Sequence, residues 1–240
     1  MQEISLAAEK IYQLGGFSIT NSLLLSMLVS FVLIILTLVL RHQIALIPNG
    51  FYNAAEAVIE GLFNLVESVA GSFEQAKQFF PLIGALFIFI LWNNWSGLIP
   101  GVGTITINHL PLLRGPTADL NATLALALVS VIATQYYGIK YTGFFANAKR
   151  FINFTSPILL FVGLLELVAE FAKVLSFSFR LFGNIFAGEV LLVVMGLLAP
   201  YLAPLPFIGL ELFVGFVQAL VFAMLTLVFL KVAVAESHNT

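Results

Sequence analysis

Residues 21–40, NSLLLSMLVSFVLIILTLVL, contain no charged side chain and run into Arg41 and His42. A helix needs about 20 apolar residues to cross the hydrocarbon core of a bilayer. Four further apolar stretches follow, at about 79–100, 121–139, 155–200 and 206–231. In the second, Trp92 and Trp95 suit an interfacial aromatic belt. Hydrophobic residues make up 60% of the chain and charged residues 9%, against about 45–50% and about 25% in a soluble domain. The expectation is an all-α integral membrane protein, one membrane domain over residues 1–240 with about five transmembrane helices.

The same composition narrows the function. A net charge of -2 gives no electrostatic reason to bind nucleic acid. The absence of cysteine rules out disulfides, thiolate metal sites and cysteine nucleophiles. The polar start, MQEISLAAEKIYQLGG, lacks the basic region of a cleavable signal peptide. No metal-ligand spacing, nucleophile–base pair or phosphate-binding glycine loop is present, so no cofactor is expected. His42, His109 and His238 read as flanking or loop residues.

The stretch at 155–200 exceeds one span. As a single helix it would be roughly 65 Å long at about 1.5 Å per residue. Length alone favours two spans, because tilts above about 40° are unusual. Charge counting favours one. With five spans and the N-terminus outside, Arg41, Lys77, Lys140, Lys149, Arg150 and Lys231 are cytoplasmic, while Lys10 and Arg114 are outside.

Residues 51–75 do not span. Ala55, Val58, Leu62, Val66, Val69 and Phe73 recur at helical spacing, with Glu56, Glu60, Glu67 and Glu74 mostly on the other side. This predicts an amphipathic helix at the cytoplasmic interface. Its acidic face either meets a protein partner or is simply solvated.

Charged groups within the membrane are expensive and tend to mark function. The last two stretches hold Glu166, Glu170, Lys173, Arg180, Glu189 and Glu211. Glu166, Lys173 and Arg180 are spaced by about two helical turns and share a face that Asn184 continues. Glu170 and Lys173 are placed to form an ion pair, although Lys173 also has the reach to snorkel. Glu189 lies about half a turn from Arg180 and faces elsewhere. Glu211 and Gln218 share a face of the last helix. The polar residues thus form two groups at different depths, with Arg180 between them. Arginine cannot release its proton in a protein, so it is a poor relay but a good barrier and a good dock for a carboxylate. Asn184 and Gln218 equally suit ordinary interhelical hydrogen bonding. Asp119 suits a helix N-cap or a role near a channel mouth.

SFRLFGNIFAGE at 178–189, with PTADLN at 116–121, QALVFAMLTLVFL at 218–230 and WNNWSGLIPG at 92–101, resembles the subunit a family of bacterial F-type ATP synthases. The resemblance runs from about residue 40 to the C-terminus. It implies a proton-channel stator beside a rotating ring of c subunits, with two offset half-channels and no ATPase activity of its own. Arg180 would be the essential arginine facing the ring carboxylate. Asn184, Glu189, Glu211 and Gln218 map onto the outer half-channel, and Glu166, with Glu170, onto the inner one. Asp119 and Lys173 are further candidates. The implied partners are the c ring, the peripheral-stalk b subunits, other ATP synthase subunits and the lipid bilayer. The implied home is the bacterial inner membrane, with the C-terminus cytoplasmic. The family also implies that 155–200 is one tilted helix, hairpinned with the last. One departure stands out: the position of Glu211 is a histidine in some members. Two adjacent carboxylates in a low dielectric are expected to share a proton and titrate as a unit. A self-contained secondary transporter is the competing reading, but such folds often show internal repeats. None is visible here, and the intramembrane charges all lie in the last third.

Overall fold

The computed structural model describes residues 8–14, 17–42, 50–103, 105–107, 110–144, 151, 156–199 and 204–235. His109, Lys149, Arg150 and His238 lie outside them. Among the described residues there are six α-helices: α1 (Asn21–His42), α2 (Phe51–Ala70), α3 (Phe73–Ser96), α4 (Leu120–Thr142), α5 (Pro157–Leu198) and α6 (Pro204–Ala235). A 3-10 turn at Pro116–Ala118 leads into α4. Four helices, α1, α3, α4 and α6, are long and apolar enough to cross a membrane. The chain is an all-α, multi-pass membrane protein.

Residues 157–198 form one unbroken helix of 42 residues. The two-span division that length favoured does not occur. Glycines 163, 183, 188 and 196 all lie inside α5 and none breaks it. A span length measures a helix crossing perpendicular to the bilayer, and α5 exceeds it without a turn residue to end it.

The helix expected at 51–75 ends earlier. Gly71 adopts φ 86° and its N–H bonds the Glu67 carbonyl, a left-handed helix stop. Ser72 then caps α3 by accepting from the Gln75 N–H. Residues 73–75 therefore belong to α3. Of the predicted apolar stripe on α2, Leu62 and Val66 are buried, while Val58 and Phe73 are exposed. Residues 53–61 include no buried side chain, so the first half of α2 runs past the edge of the bundle. Lys231 of α6 donates to the Val69 carbonyl at 2.9 Å and holds the end of α2.

Two short antiparallel hairpins accompany the helices, β1–β2 (Lys10–Leu14, Phe17–Thr20) and β3–β4 (Thr106–Ile107, Leu110–Pro111). Asn21 ties them together. Its side chain accepts from the Glu9 N–H and donates to the Pro111 carbonyl. These hairpins and the described residues between 97 and 119 mark one end of the bundle, here the loop end. α2 marks the other.

Lipid gives helices no hydrophobic reason to associate, so close packing and polar contacts must hold the bundle. α3, α4 and α5 all pack on α6. On α6 the small residues Ala219 and Ala223 are fully buried, and a side chain at Gly215 would press on Asn94. Hydroxyl pairs join Thr123 of α4 to Ser178 of α5 at 3.1 Å and Ser130 of α4 to Thr226 of α6 at 2.8 Å. Asn94 and Trp95 of α3 donate to the α6 carbonyls of Gly215 and Leu212. Trp95 is thus an interhelical tie, while Trp92 remains exposed.

Candidate functional site

α5 presents two faces. Phe177, Ser178, Leu181, Phe182 and Ile185 are buried. Ser176, Arg180, Gly183, Asn184 and Ala187 are exposed and recur at three- and four-residue spacing, a single strip. Small side chains flank Arg180 on this strip, so another surface can approach it closely.

Among the described residues Arg180 makes one side-chain hydrogen bond, from Nη2 to Ser176 Oγ at 3.5 Å. Among the described residues no carboxylate pairs with it. Asn184 donates to the Arg180 carbonyl at 2.9 Å. That bond lies within α5, and no interhelical hydrogen bond of Asn184 is present among the described residues. Gln218, half-buried on α6, has no hydrogen-bond partner among the described residues.

Toward the α2 end, Lys173 Nζ lies 2.6 Å from Glu170 Oε1 and 4.6 Å from the centre of the Phe229 ring. Lys173 therefore turns inward to a carboxylate and an aromatic face of α6. Glu166 is half-buried one turn earlier.

Toward the loop end, three charged residues from three segments converge. Glu189 leaves α5 and meets Arg114 of the 97–119 loop, Nη2 to Oε2 at 3.5 Å. Glu211 leaves α6, 8% exposed, and its carboxylate occupies the space beside Gly188 that any larger residue would fill. Along α5, Arg180 and Glu189 are about 13 Å apart. Arg180 thus stands between a loop-end group of Glu189, Glu211 and Arg114 and an α2-end group of Glu166, Glu170 and Lys173.

Asp119 belongs to neither group. It caps α4 through the Asn121 N–H at 3.0 Å and accepts from Ser22 Oγ of α1 at 2.7 Å. The N-cap reading is the one these bonds show. Asp119 also lines a cavity of about 440 Å³ at the loop end, with Ser18, Thr20, Ser22, Asn93 and Thr117. The buried Asn93 Oδ1 and Thr117 Oγ1 have no hydrogen-bond partner among the described residues.

Sequence reasoning did not single out Arg114 or Gly188. The available signals were a basic residue on the side expected to be poor in them and a glycine directly before an intramembrane Glu.

A sequence model of the ATP synthase A chain matches residues 23–231. The chain is 36% identical to an ATP synthase subunit a of Campylobacter jejuni, across 88% of this chain and 89% of the relative. It is 35% identical to one from Syntrophobacter fumaroxidans, across 96% and 91%, and 34% identical to one from Trichlorobacter lovleyi, across 91% and 89%.

Proposed function

We propose, from the premise that this chain belongs to the ATP synthase A chain family, how its residues carry protons. The chain is the membrane-sector proton-channel stator of an ATP synthase. In our reading the exposed strip of α5 faces a rotating ring of c subunits, each with a carboxylate in the membrane. The single observation that carries this is Arg180, a permanent cation exposed at the middle of α5 with no carboxylate partner among the described residues. A lone cation in lipid is expensive. A carboxylate brought by another subunit removes that cost and leaves when its proton returns.

The two polar groups are then the two half-channels. Glu189, Glu211, Asn184 and Gln218 serve the loop end, which in this reading is the outside. Glu166 and Glu170 serve the cytoplasmic end, with Lys173 keeping Glu170 paired. Asp119 and the cavity beside it form a hydrated approach at the outer end. The chain itself is non-catalytic, and ATP chemistry belongs to other subunits. The acidic face of α2 meets the peripheral-stalk b subunits. The whole sits in a bacterial inner membrane, with the N-terminus outside and the C-terminus cytoplasmic.

The ring-facing strip can be tested directly, because the chain has no cysteine of its own. An Ala187→Cys variant should form a disulfide with a cysteine placed beside the ring carboxylate. Ile132→Cys, on an exposed face of α4, should not. Cross-linking at 132 and none at 187 would put the ring on the wrong face.

Gly188 gives a second expectation. A methyl group at 188 overlaps the Glu211 carboxylate. That carboxylate is the far end of a flexible side chain, so Gly188→Ala should assemble normally. The displaced carboxylate should lower ATP-driven proton pumping by about tenfold. Pumping at the wild-type rate with equal complex content would remove Glu211 from the path.

A further inference from the structure

We infer that Arg114 is a positioning residue for proton transfer, fixing Glu189 at the mouth of the outer half-channel. The inference rests on the proton-channel reading above and adds a residue to it.

Arg114 is 8% exposed although it comes from a loop. The loop around it is tied down. The Leu112 N–H bonds the Ile105 carbonyl at 2.8 Å, and the Gly103 N–H bonds the Leu113 carbonyl at 3.0 Å. On the other side, Gly115 packs against Gly97 so closely that a side chain at 97 would come within 3.2 Å of the Gly115 backbone. The buried 3-10 turn at Pro116–Ala118 follows at once. A frame of this kind sets where the guanidinium sits, and it sits 3.5 Å from Glu189.

Glu189 needs such a partner. Among the described residues, the charged groups that act on its surroundings are Arg114 from the loop and Glu211 from α6. Two carboxylates side by side repel. One fixed guanidinium offsets one of the two negative charges and stops the Glu189 side chain from swinging away from Glu211. A proton can then pass between two carboxylates whose separation is set by the loop and by the Gly188 notch. Arg114 never gains or loses a proton in this scheme, so it acts on the path through Glu189.

The test uses the whole complex in vesicles, with assembly measured for each variant. Arg114→Gln should lower ATP-driven pumping about tenfold at normal assembly, and Arg114→Lys, which keeps the charge, should stay within about threefold of wild type. Adding Arg114→Gln to Glu189→Gln should produce little further loss, because the residue acts through Glu189. Wild-type pumping by Arg114→Gln overturns the inference. So does equal loss in the Gln and Lys variants, which would mark a packing role. If Arg114→Gln does not assemble, the Lys variant decides: an assembled Lys variant pumping as poorly as Glu189→Gln also overturns it. Arg180→Ala, run in parallel, separates the two ideas. If it still pumps, the channel reading itself fails. If it does not, a negative result at position 114 condemns this inference alone.

Discussion

Arg180→Ala should abolish ATP-driven acidification of vesicles while the complex still assembles. Position 180 is exposed on α5, and among the described residues its one side-chain hydrogen bond is to Ser176, so alanine at this exposed site should leave the fold intact. On the proposed function, what disappears is the charge that docks each passing ring carboxylate. Removing one preorganised donor from a site of changing charge costs about 10²–10³ in rate, and a loss of at least 10² is expected here. Arg180→Lys should also fall well below wild type. Lysine keeps a positive charge, but it loses the planar fork that grips a carboxylate with two bonds, and its proton can leave when it is desolvated. Proton uptake by inverted vesicles, normalised to assembled complex, checks both variants.

The second large effect concerns Glu189 and Glu211. They leave different helices and meet at the loop end, one against Arg114 and the other in the notch at Gly188. If they pass one proton between them, neither works alone. Glu189→Gln and Glu211→Gln should each lower pumping by about tenfold or more, and the double variant should be little worse than the poorer single. Residues that act as a unit are non-additive in this way. Losses that multiply would mean two independent sites. The same rates across the four proteins of the cycle test both outcomes.

Much of this was legible in the sequence, for reasons that can be named. Span-length apolar runs closed by Arg41 and Lys140 marked where α1 and α4 end, because a bilayer sets a length and charge sets the ends. Two-turn spacing aligned Glu166, Lys173 and Arg180 before any neighbour was known. The Gly71–Ser72 break was readable in principle, since glycine stops one helix and serine caps the next. The strong stripe running through it to Phe73 concealed the break. The hairpins at 10–20 and 106–111 were too short to show strand alternation. The unbroken α5 ran against a length rule that assumes little tilt.

The site was only partly legible for a different reason. Sequence spacing orders residues along one helix, but Arg114 meets Glu189, and Glu211 meets Gly188, only after separate segments fold together. Trp95 shows the same limit: its place at a helix end suggested a belt, while its hydrogen bond to Leu212 depends on where α6 lies. Asn184 went the other way. Its bond is local, to the Arg180 carbonyl one turn back, so its side chain is kept on the same strip as the arginine.

On the proposed function, Arg180 divides two proton paths that would otherwise join. Passive proton leak through the membrane sector stripped of its catalytic head tests that most directly, comparing Arg180→Ala with wild type at equal amounts of assembled sector. Leak should rise in the variant even as ATP-driven pumping disappears, because the barrier and the dock are the same side chain. Unchanged leak together with intact pumping would contradict it: Arg180 would then be a structural residue, and the two polar groups of α5 would not be halves of one divided channel.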